Sequence, residues 1–243
     1  MTKPTMTLSY AQRLEDYYLH LAFAGQSEGF YVDIGAGEPM LDNVSYWFYL
    51  QGWSGLVVEP QRELLAQYEQ ARPRDKRDDR LVGRENGSAS FYSFAELHGL
   101  STTKIDAAEA ARQFEPSFTH EMRETASLAQ LVKDHAIGKV DFLKIDVEGA
   151  EHEVLEGADW TSFRPRIILA EVVSPGRMED ARPSWADIMD RHGYAFHFFD
   201  GLNRYYVAEE EKELIARLPR EIARWDIVEH YWDVLERERA AAT

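Results

Sequence analysis

The 243-residue chain has no cysteine, few basic residues and no long apolar run. Without cysteine, it can contain neither a disulfide framework nor a thiolate metal site. Its 27 Lys and Arg against 43 Asp and Glu give a formal net charge of -16, which excludes the basic footprint of a nucleic-acid-binding protein. No segment approaches the ~20 apolar residues of a membrane-spanning helix, and the first residues contain no apolar signal core. We therefore expect a cytoplasmic protein that neither inserts into a membrane nor binds nucleic acid.

The arrangement of apolar segments predicts an α/β fold. A hydrophobic content of 44% suits one domain over residues 1–243 with a well-buried core. Short apolar strands alternate with helical segments, which indicates a mostly parallel, doubly wound sheet. The runs YAFHFFD and NRYYVA around the Asp200-Gly201 turn predict an antiparallel hairpin at the sheet edge. We expect residues 1–24 to form an N-terminal helical cover, residues 25–208 the core and residues 209–243 a helical tail.

Turn and capping signals give further local predictions. Ser9 is a candidate cap for the first helix, and Pro60 opens a helix over residues 61–70 that polar residues 71–79 end. Asn86-Gly87 predicts a turn between two extended runs, whereas residues 97–124 lack a clear period, which is typical of a lid or binding loop. One face of the tail is predicted to be apolar, as a cap on the domain or a homodimer contact. Its residues are Ile222, Trp225, Val228, Tyr231, Trp232 and Leu235.

The stretch DFLKIDVEGAEHEVLEGADW, residues 141–160, joins a buried strand to a helix through a cluster of acids. Phe142, Leu143 and Ile145 predict the strand. Asp146 and Glu148 follow it directly. Ligands of an open α/β sheet bind outside the carboxyl ends of its strands, so these two acids are expected to face the ligand cleft.

A glycine-rich turn follows an earlier strand in GFYVDIGAG. Gly35 and Gly37 allow the backbone to approach a ligand, with main-chain N-H groups turned toward it, although a tight strand-to-helix connection would look the same. Glu59 ends the next strand about 20 residues later, where an acid binds the ribose hydroxyls of an adenosine cofactor. The third glycine of dinucleotide sites is missing, and Glu38 would repel a pyrophosphate. S-adenosylmethionine has no phosphate, and Asp33 suits its cationic groups.

These segments resemble the FkbM-type S-adenosylmethionine-dependent methyltransferases. The similarity runs from residue 9 to about residue 210, through SYAQ, FYVDIGAG, GWSGLVVEP, RPRD, GLST, the 141–160 stretch and FDGLNRYYVAEE. It implies a Rossmann-like methyltransferase fold and O-methylation, often of sugars in glycan or natural-product pathways. We assign the cofactor contacts to Asp33, Gly35, Ala36, Gly37, Asn43, Glu59, Pro60 and Asp146.

Methyl transfer to a hydroxyl requires a group that takes the hydroxyl proton as the oxygen attacks the methyl carbon. The catalytic candidates are Asp146, at the junction of cofactor and acceptor, Glu148, as base or orienting group, and His152. Alternatively, Asp146, Glu148 and Glu171 could hold a divalent metal such as Mg²⁺, or the acids could only stabilise a helix N-terminus. Lys144 either contacts a carboxylate across the cleft or extends to solvent at a sheet edge.

The preferred hypothesis is therefore an S-adenosylmethionine-dependent O-methyltransferase acting on a sugar hydroxyl of a glycan or glycosylated natural product. Its partner would be a small-molecule or glycan acceptor. A nicotinamide (NAD) oxidoreductase on the same fold is one alternative. The other is a non-catalytic binding or assembly module whose interface is the C-terminal helix with Trp225 and Trp232.

Overall fold

The computed structural model of the chain describes residues 6–172, 182–222 and 228–241. Its strands are β1 (Leu8–Ser9), β2 (Phe30–Ile34), β3 (Ser54–Val58), β4 (Lys76–Asp78), β5 (Leu81–Gly83), β6 (Gly87–Ser93), β7 (Thr119–Ser127), β8 (Phe142–Ile145), β9 (Ile167–Glu171), β10 (Tyr194–Phe199), β11 (Asn203–Ala208) and β12 (Glu229–His230). Its α-helices are α1 (Glu15–Ala22), α2 (Tyr46–Leu50), α3 (Arg62–Ala71), α4 (Ile105–Ala111), α5 (Leu128–Asp134), α6 (Glu151–Glu156), α7 (Ala186–Arg191), α8 (Lys212–Arg217) and α9 (Tyr231–Ala241).

A seven-stranded sheet with the order β10-β11-β9-β8-β2-β3-β4 forms the centre of the molecule. The five strands from β9 to β4 are parallel to their neighbours, whereas β11 is antiparallel to both β9 and β10. The predicted α/β class with a mostly parallel sheet and an edge hairpin is confirmed. The antiparallel strand is the inner strand of that hairpin, because β11 turns back from β10 and inserts beside β9.

The order in which successive strands are added to the sheet reverses between β2 and β8, which are parallel neighbours. From β2 the sheet grows outward through β3 and β4, and from β8 it grows the opposite way through β9. The carboxyl ends of β2 and β8 therefore lie side by side, with Ile34 paired to Ile145. Such a reversal opens a crevice for ligands. Here it brings the glycine turn after Ile34 next to Asp146.

Both faces of this sheet are buried, as a parallel sheet requires. On one face, Phe23, Phe48 and Trp53 pack against Phe142 in a cluster rich in aromatic rings. On the other face, aliphatic strand residues pack against Val154 and neighbours from the helices. This packing on both faces fixes the carboxyl ends of the strands, and therefore the positions from which the loops of the site begin.

A second sheet has the order β5-β7-β6, and one of its strands begins inside residues 97–124, for which the sequence predicted no regular structure. The chain turns near Asn86-Gly87, but β5 and β6 do not pair with each other; each pairs with β7. The prediction of an irregular segment over residues 97–124 was wrong in part, because that segment contains α4 and the start of β7. Most of β7 is polar and exposed, so its residues show no hydrophobic alternation.

The polar residues after α3 also contain a strand that their composition concealed. Residues 71–79 end α3 as predicted, but β4 follows within them and forms the sheet edge beside β3. Charged side chains are common on edge strands because they discourage pairing with another chain.

The N-terminal cover is shorter than predicted, and Ser9 does not cap its helix. Ser9 belongs to β1, and its hydroxyl donates a hydrogen bond to Asp16 at 2.6 Å. The residue that precedes α1 is Leu14, which has a left-handed φ of 65°. Strand β1 pairs in parallel with β12 from the far end of the sequence.

The tail is not continuously helical, since β12 lies between α8 and α9. Of its predicted apolar face, Val228 is buried, Ile222 and Trp232 are exposed, and Trp225 lies outside the described residues. Helix α9 contains no buried residue, and its role as a dimer contact stays a prediction. Among the described residues, no helix has the length and apolarity needed to cross a membrane.

Candidate active site

The two glycines of the turn after β2 serve different purposes. Both have positive φ values, 71° for Gly35 and 62° for Gly37. A Cβ atom on Gly35 would lie 1.7 Å from the carbonyl oxygen of Asp146, whereas one on Gly37 would meet no atom of the described residues within 4 Å. Gly35 therefore allows the ends of β2 and β8 to touch. Gly37 faces open space in the cavity described below.

The amide groups of this turn do not point toward a ligand, contrary to the sequence-based expectation. The N-H groups of Gly35 and Ala36 donate to the carbonyl oxygen of Val58, at 2.9 and 3.1 Å. The N-H of Gly37 donates to Glu59 Oε2 at 2.9 Å. All three donors are used within the protein, so the turn is not a cradle for a pyrophosphate.

Glu59 holds the turn and also faces the cavity. Its second oxygen, Oε1, accepts a hydrogen bond from the N-H of Gln61 at 2.8 Å, just before α3. The side chain is almost fully buried, and this burial raises the pKa of its carboxyl group. Each carboxylate oxygen has lone pairs for more than one hydrogen bond. Glu59 can therefore still accept hydroxyl groups from a ligand.

Asp33 and Asn43 lie behind the turn and do not line the cavity. Asp33 Oδ2 accepts a hydrogen bond from the hydroxyl of Ser45 at 2.6 Å. Its buried Oδ1 has no hydrogen-bond partner among the described residues and lies 3.6 Å from the ammonium group of Lys144. Asn43 Nδ2 donates to the carbonyl oxygens of Ala36 and Glu38, both at 3.0 Å. Asn43 therefore binds the turn directly, and Asp33 is linked to Asn43 through the hydroxyl of Ser45.

Arg72 anchors this support, a role that sequence reasoning missed. Its guanidinium group is fully buried, pairs with Asp75 at 2.7 Å, and donates to Asn43 Oδ1 at 2.8 Å and Ser45 Oγ at 2.8 Å. The available signal was RPRD, a cluster of charges beside the end of a helix. Its partners Asn43 and Ser45 lie far away in sequence, so no local pattern could identify the contact.

A cavity of about 220 Å³ lies over the carboxyl ends of β2, β3 and β8. Among the predicted cofactor contacts it is lined by Gly35, Ala36, Gly37, Glu59, Pro60 and Asp146. The second sheet and the loop after it form the opposite wall, with Phe91, His98 and Thr102. Two contacts join this wall to Gln61, the residue before α3. The side-chain amide of Gln61 donates to the carbonyl oxygen of His98 at 3.1 Å, and the Nδ1 atom of the His98 ring lies 3.1 Å from Gln61 Oε1. These two residues have no distinguishing sequence pattern.

Three of the predicted acids gather at one end of this cavity. Asp146, Glu148 and Glu171 each place a carboxylate oxygen within 4.8 Å of the other two. Burial and the charge of Asp146 raise the pKa of Glu148 to about 9 and that of Glu171 well above its usual range. Glu151 lies in the same loop region and accepts hydrogen bonds from the N-H groups of Gly149 and Val147. Burial raises the pKa of its carboxyl group to about 7.

Lys144 supplies the positive charge beside these acids. Its ammonium group is buried and donates to the carbonyl oxygen of Gly35 at 2.7 Å. It also lies 3.2 Å from Asp146 and 3.6 Å from Asp33. Of the two roles predicted for Lys144, the structure shows the contact with carboxylates at the cleft. The side chain is buried and does not extend to solvent. It fixes the end of β8 to the glycine turn.

Glu148 has an unusual backbone conformation. Its φ is 52°, in the left-handed region, where a residue with a side chain incurs a cost of roughly 1–2 kcal/mol. The hydroxyl of Thr102 donates to its carbonyl oxygen at 2.8 Å and so holds this conformation. Within the described ranges, the Glu148 carboxyl group has no hydrogen-bond or ion-pair partner and lines the cavity. Strain of this kind is concentrated at functional sites.

His152 is not brought to the same cavity. Its ring lies 3.1 Å from the hydroxyl of Ser184 and 3.3 Å from Glu156. The three carboxylates offer the hard oxygen ligands that Mg²⁺ prefers, so their geometry could hold a divalent metal. The ammonium of Lys144 already balances part of their charge.

Comparison with known proteins assigns this site to a family. The profile of the FkbM methyltransferase domain matches residues 33–196, about two thirds of the chain. The chain belongs to the FkbM methyltransferase family. It is accordingly an S-adenosylmethionine-dependent methyltransferase, as the sequence motifs predicted. No curated protein matches the chain. Among solved structures, a TehB-like S-adenosylmethionine-dependent methyltransferase from Corynebacterium glutamicum is similar over 81% of this chain and 88% of its own, with 10% identity and a TM-score of 0.44.

Proposed function

We propose that this FkbM methyltransferase transfers the methyl group to a hydroxyl of a sugar, in a glycan or a glycosylated natural product. The observation that supports O-methylation is the Glu148 carboxyl group, which faces the cavity beside Asp146 without an internal partner among the described residues. Burial and the charge of Asp146 raise the pKa of Glu148 to about 9, so its ionised form is the minor one at neutral pH. That ionised form can accept the proton that a hydroxyl loses as its oxygen attacks, and the rate of transfer should therefore rise with pH up to about 9. Asp146, fixed by Lys144, would lie between cofactor and acceptor.

The cavity suits S-adenosylmethionine by the chemistry of its wall. Glu59 retains lone pairs for ribose hydroxyls, Gly37 leaves space for a close approach, and Asp146 offers negative charge to a cationic group. When bound, the cofactor supplies an activated methyl group. A dinucleotide fits poorly, because the amide groups at residues 35–37 are all used within the protein. This disfavours the oxidoreductase alternative independently of the family assignment.

The proposed division of labour gives each residue a separate task. Gly35, Ala36, Gly37, Glu59 and Pro60 contact the cofactor, while the buried pair of Asp33 and Asn43 keeps the turn in shape. At the reacting end, Glu148 takes the proton from the acceptor hydroxyl. The charged Lys144 keeps Asp146 in place during the transfer, because both groups are tied to the same turn.

A first experiment tests cofactor binding and base catalysis separately. S-adenosylhomocysteine should raise the melting temperature of the wild type and of Glu148→Gln alike, since it binds the folded state, whereas NAD should not. A radiolabelled methyl donor with a glycan panel should then give transfer by the wild type and a loss of about 10²–10⁴-fold in Glu148→Gln. Full activity of that variant would exclude Glu148 as the base.

The same assay tests the metal alternative. If Asp146, Glu148 and Glu171 hold Mg²⁺ during turnover, a chelator should abolish transfer and added Mg²⁺ should restore it. If the carboxylates act without a metal, the chelator should leave the rate unchanged. Cofactor binding measured in parallel shows whether a loss arises at the metal or from unfolding.

A further inference from the structure

A strap of residues 10–15 runs along the carboxyl edge of the central sheet. At its start, the carbonyl oxygen of Tyr10 accepts a hydrogen bond from the N-H of Asn43 at 2.8 Å, shortly after the glycine turn that follows β2. At its end, Glu15 Oε1 accepts one at 2.9 Å from the side-chain amide of Asn203, which pairs with the last residue of β9. Strands β8 and β9 lie between β2 and β11 in the sheet. The strap therefore runs from one side of these two strand ends to the other.

Gln12 lies in the middle of the strap and lines the cavity over the strand ends. The residues on either side of it are held in place. The carbonyl oxygen of Ala11 lies 3.0 Å from His230 Nε2, and the N-H of Arg13 donates to Glu15 Oε2 at 2.6 Å. The backbone at Gln12 is therefore fixed, whereas the residue itself is exposed. Its side-chain amide can present two N-H donors and one carbonyl oxygen to a ligand.

The sheet order indicates which part of the cofactor reaches Gln12. Glu59, which suits the ribose hydroxyls, ends β3, and Asp146 follows β8 on the other side of β2. Leu81 and Val82 line the cavity just after β4, on the far side of β3 from β8. An adenine ring suits these apolar side chains. The amino-acid end of S-adenosylmethionine then lies at the opposite end of the cavity, where the strap brings Gln12.

The amino-acid end of the cofactor carries an ammonium group and a carboxylate, which need opposite partners. Glu38 and Asp42 follow the glycine turn and line the cavity, so their oxygens can accept hydrogen bonds from the ammonium group. The main-chain amides of residues 35–37 could have bound the carboxylate, but they donate within the protein instead. Gln12 supplies N-H donors at this end of the cavity. Hydrogen bonds to a charged group are roughly twice as strong as those between neutral groups.

We infer that Gln12 binds the α-carboxylate of S-adenosylmethionine. Two motifs that carry the family resemblance, SYAQ and FDGLNRYYVAEE, thereby acquire a shared task. The first contains Gln12, and the second contains Asn203, which anchors the strap through Glu15. The inference concerns the cofactor and goes beyond the proposed function, because it does not depend on the identity of the acceptor.

Two ligands separate the carboxylate from the rest of the cofactor. Calorimetry of the full chain measures the Kd of S-adenosylhomocysteine and that of its decarboxylated analogue, which keeps the ammonium group. The wild type is compared with Gln12→Ala, Gln12→Glu and a matched control, Gln70→Ala, at an exposed position of α3. For Gln12→Ala we expect the Kd of S-adenosylhomocysteine to rise about 10- to 100-fold, as for a lost hydrogen bond to a charged group, and that of the analogue to stay within about twofold.

Gln12→Glu distinguishes the carboxylate from the ammonium group as the partner. A glutamate at this position should weaken S-adenosylhomocysteine binding more than Gln12→Ala does, because two carboxylates repel each other. It should not weaken binding of the analogue, which has only the ammonium group. Tighter binding of S-adenosylhomocysteine by Gln12→Glu would overturn the inference, because it would indicate contact with the ammonium group. The Gln70→Ala control should bind both ligands as the wild type does.

Three further results would overturn the inference. They are unchanged affinity of Gln12→Ala for S-adenosylhomocysteine, equal losses for the two ligands, and no binding of S-adenosylhomocysteine by the wild type. A general disturbance of the fold would weaken both ligands equally and so counts against the inference. Failure of the proposed function would appear elsewhere, as absent methyl transfer to the glycan panel by a wild type that binds S-adenosylhomocysteine normally.

Discussion

The buried Glu148 carboxyl group should make the stability of this methyltransferase depend on pH. In the folded chain its pKa is raised from 4.5 to about 9, so between these values the folded state keeps a proton that the unfolded state releases. The free energy of unfolding should then fall as pH rises, by about 1.4 kcal/mol per pH unit for this one group. The loss begins near pH 4.5 and ends near pH 9.

Glu148→Gln isolates this contribution because an amide cannot ionise. Urea unfolding followed by tryptophan fluorescence at pH 6 and pH 8 should show that the wild type loses about 2.7 kcal/mol more than the variant over these two pH units. Glu63→Gln, at an exposed position in α3, controls for the substitution itself. Parallel pH dependences of the wild type and Glu148→Gln would refute the reasoning, because they would mean that Glu148 holds no additional proton in the folded state.

Four other substitutions test the support of the cavity. Gly35→Ala should destabilise the fold by about 3 kcal/mol or more, since its Cβ would clash with the Asp146 carbonyl oxygen, whereas Gly37→Ala should cost only about 1 kcal/mol; equal melting temperatures would contradict this. Arg72→Met should cost about 3–5 kcal/mol in chemical denaturation by leaving buried Asp75 unpaired. Lys144→Met should weaken S-adenosylhomocysteine binding by calorimetry, and unchanged affinity would exclude its role in fixing the turn.

The candidate site could be predicted only where local sequence dictates local geometry. Glycines after an apolar strand, an acid at the end of the next strand and the acids after Ile145 all follow from the rule that ligands lie at strand carboxyl ends. Asp33 and Asn43 were predicted as cofactor contacts from their nearness to the glycines. The structure places them behind the turn, because Ser45 and Arg72 hold them there.

The roles of the more distant residues depend on contacts that no local pattern contains. His152 follows the acids directly in sequence, yet the helix turns its ring toward Ser184 and away from the main cavity. Conversely, Gln61 and His98 are 37 positions apart but close the cavity together. Strand β7 was missed because its pairing with β5 and β6 is long-range, and exposed polar residues give no periodic signal.

The sequence by itself determined the apolar strands of the central sheet and the residues at their carboxyl ends, because hydrophobic period, glycine and charge act over a few positions. Only the tertiary structure decided how those ends meet. The reversal between β2 and β8 brings Gly35 against Asp146, turns Lys144 inward and gathers Asp146, Glu148 and Glu171. Burial in that arrangement, rather than the residue types alone, sets the protonation of the acids, since the cost of desolvating a carboxylate depends on what surrounds it.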